Sequence, residues 1–122
     1  MPPAKVNLAE KFNQIPEPWQ PRLAAEVGDC QVKLAKLAGE FEWHSHAEQE
    51  EIFLVVAGRL CLRFRDGEVW LAPGEFLTIP RGVEHLPVAP EETCVVLIEP
   101  KGVVNTGENQ DSPRRLEKLD WI

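Results

Sequence analysis

Between Leu23 and Pro100, short runs of alternating apolar and polar residues are broken by turn residues roughly every ten positions, the pattern of a small all-β domain. Ala57-Gly58 separates Phe53–Val56 from Leu60–Phe64 and predicts a hairpin there. Asp66-Gly67 is a stronger turn signal, because residues that tolerate positive φ close two-residue hairpins. Pairing outward from both turns puts Leu60, Leu62 and Phe64 on one sheet face with Glu51, Phe53 and Val55, joined by Val69 and Leu71. The other face carries Ile52, Leu54, Val56 and Trp70 among Arg63 and Arg65, with Arg63 placed to stack on Trp70. A strand apolar on both faces needs cover on both. A closed barrel or sandwich supplies one cover, and a terminal segment or a partner subunit the other.

The flanks read differently. Asn7 is a helix N-cap with Glu10 as capping-box partner, and Leu8 and Phe12 share one face of that short helix. Pro16, Pro18 and Pro21 then impose an extended arm that packs Trp19 against something apolar. After residue 100 the chain turns polar, and Ser112-Pro113 opens a second helix bearing Leu116, Leu119 and Ile122. The expected division is an arm over 1–22, a barrel over 23–100 and an extension over 101–122.

A chain of 122 residues holds one domain of this kind. Thirteen Lys and Arg against twenty Asp and Glu leave a net charge of −7, and the pI is near 5.0. That balance argues against nucleic acid and against an anionic membrane surface as partners. The longest apolar run, Ile52 to Ala57, is too short to cross a bilayer, and the start of the chain lacks the apolar stretch of a signal peptide. The expected compartment is the cytoplasm. Cys30, Cys61 and Cys94 form no metal-binding or redox pair and are expected to be buried free thiols.

The candidate chemistry lies in the histidines, of which there are three. His44-Ser45-His46 lies in a strand-like stretch, where a period of two sets both imidazoles on one face. Glu51 faces inward by the pairing above, and His85 follows the turn Pro80–Glu84. Imidazoles with a carboxylate suit iron, copper, nickel, zinc or manganese. A lone histidine is more often a satisfied core or surface residue, and the pattern by itself leaves both readings open.

The stretch Gly39 to Gly58, with His44-Ser45-His46, then Glu51 and Gly58, resembles the first motif of the cupin superfamily. Gly74 to His85 resembles the second motif, Gly-x5-Pro-x-Gly-x2-His, and a short spacer, Arg59 to Pro73, separates the two as in small single-domain bacterial cupins. The match departs from the family pattern at Gly39, one residue too close to His44, and at Ala89, where Asn often stands. The resemblance implies a single cupin-type double-stranded β-helix, a jelly-roll barrel with short terminal extensions, often dimeric. It implies His44, His46, Glu51 and His85 as ligands of one divalent transition metal ion per chain, and Glu51 rather than Glu50 as the carboxylate.

Relatives of this kind span several reactions, so the fold does not name one. The expected function is metal-dependent chemistry on a small organic molecule, dioxygenase-like or isomerase-like. The alternative is a non-catalytic small-molecule-binding or sensor protein. Glu50 is a candidate general base, with a solvated loop carboxylate as the plainer reading. The expected substrate wall is Phe53, Val55, Leu62, Phe64, Val69 and Leu71. Arg81 is a candidate anion contact, and Trp43, alternating with the histidines, should point away from them. A homodimer through the outer face of Ile52, Leu54, Val56 and Trp70 is expected.

Overall fold

Alternation converts directly into architecture along the strand Glu51–Ala57, where Glu51, Phe53 and Val55 are buried and Ile52, Leu54 and Val56 half-buried. A computed structural model describes residues 1–122. Helix α1 (Leu8–Asn13) precedes seven strands: β1 (Arg22–Val27), β2 (Cys30–Glu40), β3 (Glu51–Ala57), β4 (Leu60–Phe64), β5 (Gly67–Leu71), β6 (Phe76–Ile79) and β7 (His85–Pro100). All pairings are antiparallel, in the order β1-β2-β7-β3-β6, with β4 bridging β5 and β7. The long strand β7 is the hinge of this β-barrel. Its first half pairs with β4 (Arg63 opposite Leu86), and its second half lies between β2 and β3. The inward residues, among them Leu37, Phe53, Leu62, Ile79, Val95 and Leu97, form one continuous core.

The expected hairpin at Ala57-Gly58 does not form, because β3 pairs with β7 and β6 while β4 pairs with β5 and β7. Gly58 instead turns the chain around the bend in β7. Its φ is +84°, and a Cβ there would sit 2.5 Å from Thr93 Oγ1 and 2.8 Å from the Glu92 carbonyl oxygen. Buried Thr93 secures the corner by accepting from the Arg59 amide (3.1 Å). The second hairpin forms, two residues out of the expected register. Phe64 faces Gly67, so the loop is Arg65-Asp66.

Cover for the outer face of β3 comes in part from this same chain. Phe12 of α1 and Ile15 pack with Leu34 and Val96, and Leu54, Val56 and Ile122 join them. Asn7 caps α1, its side chain accepting from the Glu10 amide at 3.0 Å. Trp70 and Phe76 remain largely exposed. Trp70 takes Arg59, not Arg63, over its ring (5.3 Å); Trp70 pairs with Cys61, and Arg63 pairs with Glu68 two positions along. The expected C-terminal helix is absent. Residues 101–122 form turns that strap across the barrel, and Trp121 bridges to Leu23. The spacing of Leu116, Leu119 and Ile122 fits a helix. Here Leu116 and Leu119 line a cavity while Ile122 joins the outer cluster, so the three do not share one face. Cys30 is exposed at the β1–β2 turn, whereas Cys61 is buried and Cys94 half-buried.

Candidate metal centre

His44 and His46 lie in an irregular stretch before β3, tied to the barrel by an isolated bridge between His44 and His85. Two backbone hydrogen bonds make that bridge, His44 N to His85 O (3.1 Å) and His85 N to His44 O (2.9 Å). Glu51 opens β3 and His85 opens β7, so three separate segments converge. All four side chains are buried, and their candidate ligand atoms lie within 4.8 Å of one another. The imidazole centroids stand 4.2 Å apart for His44 and His85, and 5.1 Å for His44 and His46. Glu51 Oε1 sits 3.2 Å from His85 Nε2 and 3.5 Å from His46 Nε2.

The outer nitrogens of two rings are already engaged. His44 Nδ1 lies 2.9 Å from the Glu42 carbonyl oxygen, and His85 Nδ1 lies 3.0 Å from that of Val83. A neutral imidazole that donates from Nδ1 to a carbonyl leaves Nε2 as a lone-pair donor, the tautomer that metal ligands take. Burial, with a smaller push from His85, holds the His44 pKa down to about 4, so this ring is neutral at pH 7. Burial would raise the Glu51 carboxyl, but the His46 and His85 imidazoles beside it, with a hydrogen bond from the Glu99 carboxyl, outweigh that and leave it well below its usual range. His46 Nε2 is buried and has no hydrogen-bond partner beyond its long, 3.5 Å approach to Glu51 Oε1. An orphaned buried nitrogen is costly unless something absent from the protein chain satisfies it. The donor set fits a divalent transition metal ion.

Beside the cluster lies a cavity of about 50 Å³. His44, Glu51 and Phe53 line one side, while Trp19, Phe41, Leu97, Leu116 and Leu119 form apolar walls. Trp19 is fixed by stacking on Phe41 at 4.8 Å and by its Nε1 donating to the Ala38 carbonyl at 2.8 Å. Of the expected wall, Phe53 alone borders this cavity. Val55, Leu62 and Leu71 are core filling, and Phe64 is half-buried against that core. Inward direction does not give depth. Val55 lies four residues from Glu51 along β3, about 13 Å at the rise of a strand. Val69 is 42% exposed, because β5 is an edge strand of which only Leu71 is buried. Glu50 is exposed and does not line the cavity; its carboxylate lies 3.8 Å from the guanidinium of Arg81, the cation expected to hold an anion. Trp43 turns from the histidines and takes the Arg65 guanidinium over its ring at 3.8 Å.

Two charged residues outside the expected ligand set and wall border the cavity: Lys33 and Glu99. Both are about 4% exposed, and Lys33 Nζ meets Glu99 Oε1 at 2.6 Å. Alternation is the one trace they leave in the sequence. Lys33 alternates with Ala35 and Leu37 on β2, and Glu99 with Val95 and Leu97 on β7, so each is a charge at an inward position.

A β-barrel that gathers three buried imidazoles and a buried carboxylate from two separated motifs defines a barrel protein with a donor set able to hold a metal ion. The chain belongs to the cupin family: the family model described as Cupin domain matches residues 30–99. It is similar to a solved cupin-2 domain containing protein from Shewanella frigidimarina, at 46% identity and TM-score 0.77, covering 79% of this chain and 94% of that one. It is also similar to protein NMB1881 from Neisseria meningitidis, at 30% identity and TM-score 0.74, covering 80% of this chain and 100% of that one. Among curated proteins, the uncharacterized protein YdbB of Bacillus subtilis is 36% identical over 80 residues, 65% of this chain and 71% of that one. No helix is long and apolar enough to cross a membrane.

Proposed function

We propose that this cupin binds one divalent transition metal ion per chain through His44, His46, Glu51 and His85, and uses it as an enzyme on a small organic molecule. The observation that carries this reading is the convergence of four buried donor atoms, with His46 Nε2 left without a close hydrogen-bond partner. When bound, such an ion supplies Lewis-acid or redox chemistry to a ligand at its remaining positions, the basis of isomerase-like and dioxygenase-like reactions. The chain's own contribution is positioning. The Glu42 and Val83 carbonyls fix two rings, and Phe41 packs edge-on against His44 at 5.4 Å. Trp19, Phe41, Leu116 and Leu119 give the cavity apolar walls.

The same reading places the protein in the cytoplasm and pairs it as a homodimer through the outer face, where Phe76 is 62% exposed. A sedimentation mass of one 13.8 kDa chain at every concentration would remove the dimer. For the activity, the metal-loaded protein is incubated with small hydroxy and oxo compounds, following substrate by NMR and oxygen by electrode. Turnover that disappears in His46→Ala supports the enzyme. Saturable binding with no turnover supports the alternative, a small-molecule-binding or sensor cupin.

A further inference from the structure

The stretch His44-Ser45-His46 carries two of the four donors, yet it is not part of a regular strand. Its backbone is nonetheless held on both edges. In an extended chain, successive residues offer their N–H and C=O groups to opposite sides. The even residues bond to the second motif: His44 to His85 in both directions, and His46 O accepting from the Gly82 amide at 2.8 Å. The odd residues bond to the C-terminal strap. Trp43 O accepts from Asn109 Nδ2 (2.8 Å), Ser45 O accepts from the Glu108 amide (3.0 Å), and the Ala47 amide donates to Glu108 Oε1 (2.9 Å). Glu42, whose carbonyl engages His44 Nδ1, has its carboxylate bound by Asn109 Nδ2 (2.9 Å) and Ser112 Oγ (2.7 Å). Gly107 sits so close that an added Cβ would collide with Ser45 O and lie 3.3 Å from His46 Nδ1. Residues 107–112 therefore act as a surrogate strand along the outer edge of the histidine stretch, although they lie beyond both motifs.

We propose that Glu108 and Asn109 are positioning residues of the metal centre: the strap, gripping residues 42–47 from outside, sets where the His44 and His46 imidazoles stand. Metal ligands must fall within about 0.2 Å of their proper distances, and an irregular stretch of chain does not hold that by itself. Glu51 and His85 are fixed by the strands they open, β3 and β7. His44 and His46 have the second motif on one side and the strap on the other. Glu108 is exposed, and a single hydrogen bond from an exposed side chain contributes little to overall stability. Its leverage lies in register. The Glu108 side chain pins Ala47, the residue after His46, while its amide pins Ser45, the residue before. The inference rests on the metal reading for what the rings hold, and on these hydrogen bonds for how the rings are held.

The test compares the native protein with three variants. Glu108→Ala removes the acceptor from the Ala47 amide, and Glu108→Gln keeps an acceptor oxygen there without the charge. Lys11→Met loosens the strap at its far end, where Lys11 Nζ donates to Ile122 O at 3.1 Å, and leaves the histidine stretch untouched. Each protein is titrated with Co2+ by calorimetry, and the visible absorption of the bound ion reports its ligand geometry. Glu108→Ala should lose about tenfold or more in Co2+ affinity, the usual cost of removing a group that orients a ligand, and its visible bands should shift. Glu108→Gln should restore both, and Lys11→Met should match the native protein. Native affinity and spectrum in Glu108→Ala overturn the proposal. So does a Glu108→Gln as weak as Glu108→Ala, which would make charge the cause, or an equal loss in Lys11→Met, which would make it general loosening of the strap. A native chain that takes up no Co2+ refutes the metal reading, and the positioning claim is then read on the metal-free proteins. The His46 ring signals in NMR should be single and sharp in the native protein, Glu108→Gln and Lys11→Met, and broadened or doubled in Glu108→Ala. Identical His46 signals in all four overturn the proposal.

Discussion

His44 is a side chain whose chemistry is set by where the barrel places it. Burial and the neighbouring His85 bring its pKa down to about 4, from an ordinary value of 6.5. In the metal-free protein the unfolded chain therefore binds the proton more readily than the folded one between those limits. The resulting stability is present in full above pH 6.5 and is lost as pH falls toward 4. Thermal unfolding of metal-free native protein should show this loss, and His44→Gln should show a shallower one; equal slopes would contradict the assignment. The histidines were legible in the sequence because they are few and fall in two motifs. Lys33 and Glu99 were not, since a charged residue at an alternating position reads as solvated until strand pairing closes the barrel over it. Cys30 fails for the opposite reason. It sits at the turn joining β1 and β2, where an otherwise apolar thiol stays in water. Cys61 behaves as a buried thiol, its pKa pushed up to about 11 by burial and by Glu68, whose carboxylate lies 2.7 Å from its sulfur.

Among the elements, β3 is the one that alternation described fully, with Glu51, Phe53 and Val55 inside and Leu54 and Val56 against the outer cluster. The partner of β3 was not legible. A glycine after an apolar run signals a change of direction, and only the bend of β7 decides whether the chain returns as a hairpin or crosses to the other half of the barrel. The close approach of Gly58 to Thr93 and Glu92 carries a direct consequence. Gly58→Ala should destabilise the protein by about 1–3 kcal/mol through overpacking and a disfavoured φ. Chemical denaturation measures this, and a change under about 0.5 kcal/mol would mean that the corner relaxes freely. The C-terminal segment shows the converse error. Leu116, Leu119 and Ile122 have helical spacing, yet Ser112 donates to Glu42 (2.7 Å) and the Leu116 amide to Asn105 (2.8 Å), bonds that hold a strap rather than a helix.

For the whole molecule, that strap accounts for much of the cavity. Val103, Asn105, Leu116 and Leu119 come from residues 101–122 and meet Trp19 and Pro21 of the proline arm, so both ends of the chain finish the chamber that the strands begin. The Gly107–Glu108 turn anchors the strap to the histidine loop, the Glu108 amide donating to Ser45 O at 3.0 Å and Glu108 Oε1 accepting from the Ala47 amide at 2.9 Å. The barrel and its four-residue cluster were readable from the two motifs. The chamber was not, because it is built by flanks whose contacts are all distant in sequence. The central claim is that the cluster holds metal. Elemental analysis of untagged protein beside a His46→Ala variant prepared identically tests it most directly. The account predicts about one transition metal ion per native chain, lost or sharply reduced in the variant. Native protein that stays empty after exposure to iron, manganese, nickel, copper and zinc in turn would contradict it.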